Sequence, residues 1–197
     1  MKPPASRRRA ARPQRVRIFV GCEGESEQGY VALLQRLADA AGLAIHLDTV
    51  VLQPGGGDPL AIVELAVRRM TQREQQSGMD FAHRAILLDA DKRGLQRQRD
   101  DSAAVIAAGA GMTLIWQEPC HEALLLRHLP NCAQLRPPQT RVAGQQLVQR
   151  WPDYRKPMSA ARLAQRIDAA SLAQVRAVEG TLAGFLVAIG LLPPEAG

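Results

Sequence analysis

The stretch VRIFVGCEGESEQGYVALLQRLADAAG, residues 16–42, sets an apolar run against a cluster of acids and then a periodic helix. Val16–Cys22 is short, apolar and rich in β-formers, which reads as a strand buried on both faces. Tyr30, Leu33, Leu34, Leu37, Ala38 and Ala41 then recur at helical spacing, and Gly42 follows as a stop. Between the two, Glu23, Glu25 and Glu27 fall within five residues. Counting back by helical steps from Leu34 and Tyr30 lands on Glu27, so Glu27 begins the apolar stripe and faces the sheet edge near Glu23. Glu25 has no such phase and faces solvent.

The same alternation continues downstream. Leu43–Leu52 is a second strand candidate, and QPGGGDP is a loop whose Asp58-Pro59 supplies a helix N-cap and first turn. Leu60, Ile62, Val63, Leu65, Ala66, Val67 and Met70 give the next helix. HRAILLDAD is a third strand ending in acids, QRQRDDSAAVIAAG a helix, and MTLIWQ a fourth strand. PCHEALLLRHL is a short helix opened by Pro119. Pro137–Gln149 and Met158–Ile189 read as two further helices, with WPDYRKP between them. Strand–helix alternation of this kind predicts an α/β fold, a mainly parallel sheet of about four strands flanked by helices. The expected divisions are a disordered basic tail over 1–15, an α/β core over 16–130 and a helical C-terminal extension over 131–197.

Bulk properties limit the function classes. The net charge of +6 is uneven: residues 1–17 carry seven cations and no acid, which leaves 18 cations against 19 acids in the remainder. The basic character therefore belongs to the tail, where Arg7, Arg8 and Arg9 form an arm suited to phosphates. A solubilising tail is the plain alternative. No apolar run approaches the roughly 18 residues that span a bilayer, and no secretory pattern follows the basic N-terminus. Cys22, Cys120 and Cys132 are an odd set without regular spacing, which argues against a disulfide scaffold and for a cytoplasmic protein.

In open α/β sheets, ligands gather outside the carboxyl ends of the strands. Glu23 lies just past the first strand, and Asp89 and Asp91 lie at the end of the third. Two residues apart in extended chain, Asp89 and Asp91 are expected on the same side. If the first and third strands are neighbours, these acids converge with Glu27, and such a set suits a hard cation, Mg²⁺ or Mn²⁺. The ordinary reading of each acid alone is a helix first turn or a strand-to-turn position.

EGESE followed by Tyr30, and then LLDAD, resembles the two metal-binding motifs of the Toprim domain of topoisomerases, primases and OLD-type nucleases. EPCHEALLLRHL resembles the NPcFExWlllH segment of RloB-like proteins, and Tyr154-Arg155-Lys156 resembles their Y-x-K element. The resemblance covers most of residues 21–156. It implies a metal-dependent nuclease of restriction-associated or anti-phage defence, acting on DNA or on RNA, with a partner ATPase as a candidate partner. It further implies metal ligation by Glu23, Glu27, Asp89, Asp91 and Glu122, catalytic roles for Glu23, Asp89, Asp91 and Lys156, and nucleic-acid contacts from Arg7, Arg8, Arg9, Arg93 and Lys156. The chain departs from that pattern at Glu118, His121, Ala123 and Leu124.

Other motifs carry less. GCEGESEQG lacks the G-K-[ST] of a nucleotide-phosphate loop. HEALLLRH has Leu125, not histidine, four residues after His121, so it is not a zinc-protease helix. The alternative to an enzyme is a non-catalytic module that binds nucleic acid or a partner ATPase, its acids structural.

Overall fold

The computed structural model describes residues 14–53 and 57–194. The expected contacts of Arg7, Arg8 and Arg9 lie outside the described residues. β1 (Val16–Cys22), β2 (Ile45–Val51), β3 (His83–Asp89) and β4 (Thr113–Gln117) form one four-stranded sheet in the order β2-β1-β3-β4. Every pairing is parallel. The architecture is the one the alternation predicts. Both neighbours of β1 are parallel to it, and the chain reverses its direction of travel across the sheet at β1. The crevice between the carboxyl ends of β1 and β3 is therefore the topological switch point, the usual ligand position of such sheets.

Strand side chains alternate between two cores. From β1, Ile18, Val20 and Cys22 join one cluster while Phe19 joins the other. From β3, Ala85 and Leu87 go one way, Ile86 and Leu88 the other. This is why the strands read as continuous apolar runs: both faces are covered. One face packs against α1 (Glu25–Ala40), the other against α2 (Pro59–Ser77) and α3 (Arg97–Gly109). Asp58 caps α2 by accepting from the Ala61 amide at 3.1 Å, Pro59 occupies the first turn, and Gly78 closes the helix at φ 64°. Such a cap is worth about 1 kcal/mol.

After β4 the chain is helical: α4 (His121–His128), α5 (Thr140–Arg150), α6 (Ala160–Leu163), α7 (Ala169–Val175) and α8 (Gly180–Ala188). Leu147, Trp151, Tyr154, Leu163, Leu172, Phe185 and Leu186 all belong to the core on the α1 face. The extension thus completes that side of the sheet. The single long helix expected over Met158–Ile189 is instead three short ones. Asp168 caps α7 by accepting from Ser171 at 2.9 Å, and Gly180 opens α8. Gly29 on α1 explains how the segment before α6 reaches the site, since a Cβ there would lie 2.1 Å from the Met158 carbonyl oxygen.

Candidate active site

Two of the connections at the carboxyl edge of the sheet deliver the acids. The β1–α1 turn carries Glu23 and, on the first turn of α1, Glu27; β3 ends on Asp89. Backbone amides hold them. Glu23 Oε2 accepts from the Asp89 amide at 2.9 Å, which ties the β1 and β3 ends together. Asp89 Oδ1 accepts from the His121 amide at 2.8 Å, at the start of α4. Glu27 Oε2 accepts from the Gly24 amide at 2.9 Å and closes the start of α1. Each carboxylate thus commits one oxygen to the backbone. Glu23, Glu27 and Asp89 together line a cavity of about 300 Å³, with Gln53 and Lys156.

The electrostatics are unbalanced. Burial, then the neighbouring Glu27 and Glu23, push the Asp89 carboxyl up to about 8, against the smaller opposing effect of the His121 amide. Burial raises Glu23 as well, with Glu27 and Asp91 adding to it; the Asp89 amide and Lys92 offset part of this. Burial and mutual repulsion thus disfavour full ionisation of this set of acids.

Glu122 is different. It is buried on the first turn of α4, and its Oε1 meets Lys156 Nζ at 2.8 Å and the Tyr154 hydroxyl at 3.3 Å. Burial alone raises a carboxyl, but here the Lys156 hydrogen bond and charge outweigh it and hold Glu122 below its ordinary range. Lys156 is half-exposed at the cavity rim, and its own burial is likewise outweighed by Glu122, so the ammonium is strengthened. Both ends of the Tyr154-Arg155-Lys156 element therefore converge on Glu122. Glu122 Oε2 is buried without a hydrogen-bond partner.

His121 occupies the position where the RloB-like pattern has an aromatic. Its ring packs edge-on to Tyr30 at 5.9 Å. Gln117 lies 2.9 Å from His121 Nδ1, and Glu27 Oε1 lies 3.7 Å from the same nitrogen. Burial lowers the His121 pKa, which leaves a neutral ring beside the acids.

The remaining expected residues fall elsewhere. β3 ends at Asp89, so strand alternation stops there; Asp91 is exposed in the following turn and does not line the cavity. It acts on Glu23 only through its charge. Arg93 lies over the Trp116 ring at 5.0 Å and 3.6 Å from Glu118, in a separate cavity. Gln53 and Lys92 are additions. Gln53 sits two residues past β2, so the strand-end rule applied to β2 finds it. Lys92 comes within 2.7 Å of where a Gly57 side chain would begin, beside Glu23 Oε1, and only a loop closure reveals that.

The donor set can be tested against Mg²⁺. Among the described residues, no three His, Cys, Asp or Glu side chains form a ready-made cage. Mg²⁺ needs none, since it keeps several waters and takes one or two carboxylates together with substrate phosphates. Carboxylate oxygens that repel one another at a switch point suit such an ion; the chemistry fits.

The family model described as "RloB-like protein" matches residues 18–179, and the chain belongs to that family. No curated protein and no solved structure matches it.

Proposed function

We propose that this RloB-like chain is a divalent-metal-dependent nuclease that hydrolyses phosphodiesters of DNA, or of RNA, with Mg²⁺ or Mn²⁺ taken by one or two carboxylates of the Glu23, Glu27 and Asp89 set. The observation that carries the reading is that Glu23, Glu27 and Asp89 meet in one cavity at the switch point of the sheet, where burial, Glu27 and Glu23 push the Asp89 carboxyl up to about 8. An acid held in that state costs stability in the absence of a cation and is neutralised by one. The chemistry a divalent ion supplies when bound is activation of water and neutralisation of charge developing on phosphate. The protein's own part is positioning. Asp89 is oriented by the His121 amide, Glu23 by the Asp89 amide, and Glu27 by the Gly24 amide. Lys156, fixed by Glu122, brings a cation to the rim where a phosphate oxygen would arrive. Glu122 and Asp91 act from outside this set, Glu122 through Lys156 and Asp91 through its charge on Glu23.

The role in restriction-associated or anti-phage defence, a partner ATPase and kinship with the Toprim domain rest on the sequence resemblance. A competing reading, a binding module with structural acids, draws on the backbone bonds that Glu23, Glu27 and Asp89 each make. The two separate on one experiment. Plasmid and single-stranded DNA and RNA are incubated with the protein in Mg²⁺, in Mn²⁺ and in EDTA, alongside Asp89→Asn. Cleavage is expected with either metal, absent in EDTA and at least about a hundredfold slower in the variant. No metal-dependent cleavage by the wild type would overturn the nuclease reading, and equal rates for the two proteins would remove Asp89 from the site.

A further inference from the structure

Immediately beside the acidic cavity, the carboxyl edge of the sheet turns basic. Asp89 lines the first cavity, and the next residue, Ala90, lines a second of about 500 Å³. A third of about 300 Å³ adjoins it, and the two share Arg93, Glu118, Arg127 and Arg136. Both volumes are of the size, roughly 300–1,000 Å³, that small ligands and single residues of a polymer occupy.

The charged groups play unequal parts. Arg127 is buried and already satisfied: it donates to the Glu179 carboxylate and to the Glu118 and Leu135 carbonyls. Glu179 is spent on that pair, so both belong to the frame. Arg136 is exposed and is steadied by Nη1 bonds to the Ala133 and Leu135 carbonyls at 2.9 and 3.0 Å. Arg93 is half-exposed, and its partner Glu118 is more exposed still, at 3.6 Å. An exposed pair at that separation contributes little and yields to a stronger anion. Arg93 also covers Trp116, which lines the third cavity. A guanidinium backed by an indole is a platform on which a nucleobase stacks.

The geometry points to a subsite for one unpaired nucleotide of the substrate strand, its base against the Arg93–Trp116 face and its phosphate on Arg136. The strand then continues past Ala90 to the acidic cavity. This rests on the reading of nucleic acid as substrate and adds to it a preference for single strands, because a paired base cannot offer its face to the platform. An acidic peptide would satisfy the arginines but makes no use of the stacking surface.

The test is binding in EDTA, which removes the metal from the question. A fluorescein-labelled single-stranded oligonucleotide and a hairpin duplex of equal length are titrated into the wild type, Arg93→Ala, Arg136→Ala and Arg136→Lys. Trp116 fluorescence is followed in parallel; the chain has two tryptophans, and Trp151 is buried. Thermal unfolding checks that each variant is folded, and both arginines are exposed enough to be replaced. The expected result is that the single strand quenches the tryptophan signal, and that each alanine variant binds it about tenfold more weakly. Arg136→Lys is expected to recover part of that loss, and duplex binding to change by less than about twofold. The Arg136→Ala salt slope for the single strand is expected to fall by about 0.7, one phosphate contact. Equal losses on duplex, no loss at all, or displacement of the oligonucleotide by polyglutamate without restoring the tryptophan signal would overturn the proposal. Since no metal is present, this outcome is independent of the Asp89→Asn result. Loss of binding with no metal-dependent cleavage keeps the subsite and removes the nuclease, and the reverse pattern removes the subsite alone.

Discussion

The two ends of β1 and β3 treat charge in opposite ways. Toward their amino ends, acids and arginines are matched. Arg17 bonds Asp48 at 3.0 Å, Arg73 pairs with the other Asp48 oxygen, and Arg84 bonds Glu74 at 2.9 Å. Arg17 also lies over the Phe81 ring at 4.2 Å. Burial works to raise Glu74, but the Phe81 amide and Arg84 outweigh it and hold that carboxyl low. At the carboxyl ends of the same strands, Glu23, Glu27 and Asp89 line one cavity, and Asp89 is driven up. A protein selected only for stability would match both ends. The unmatched end lies at the switch point, where a ligand is expected, and the difference separates structural acids from candidate functional ones.

The comparison can be sharpened by pH. The folded state keeps a proton on Asp89 up to about 8, whereas the unfolded chain releases it near 4. The folded state binds more protons across that window, so in EDTA the Asp89 contribution to stability falls as pH rises from about 4 to about 8. A shift of that size is worth at most about 5–6 kcal/mol over the window. His121 and His128 are lowered by burial and oppose this slope, because their folded states reject a proton that the unfolded chain takes up below about 6.5. Denaturant unfolding of wild type against Asp89→Asn isolates the Asp89 part. The variant is expected to lose the falling slope; identical pH profiles would show that the end is balanced after all.

A smaller effect probes the matched end. Asp48→Ala leaves Arg17 and Arg73 facing each other without their shared partner, and a loss of about 1 kcal/mol is expected in urea unfolding. Asp89→Asn in EDTA is expected to be neutral or slightly stabilising in the same assay. Equal destabilisation by both changes would erase the distinction between the two ends.

How much of this was legible in the sequence follows from the range of the interactions. Local rules reach the strands, because runs buried on both faces stay apolar, and they reach Asp58-Pro59 as a cap. They also place Glu27 inward and Glu25 outward, and α1 buries the first and exposes the second. The helix phase of Tyr30 and Leu34 was enough. They do not reach the breaks in the C-terminal helices: Ala- and Leu-rich sequence favours one long helix, and packing on the α1 face prevails through Asp168 and Gly180. Asp91 shows the limit of alternation, which predicts a side only while the strand lasts. Glu122 and Lys156 carry no local signal, and the resemblance singled them out. Their 2.8 Å contact depends on the close approach of Met158 to Gly29. The Arg93–Trp116 platform needs two segments brought together by the β3–β4 pairing, and no spacing announces it.

The central claim is that the unmatched acids at the switch point are a cation site. Thermal unfolding of the wild type and Asp89→Asn, each in EDTA and with increasing Mn²⁺, tests it most directly. Because the ion binds the folded site and not the unfolded chain, wild-type stability is expected to rise with concentration, by about 2.7 kcal/mol at a hundred times the dissociation constant. Asp89→Asn is expected to lose most of that rise while matching or exceeding the wild type in EDTA. A wild type indifferent to Mn²⁺, or a variant that gains as much as the wild type, would contradict the account.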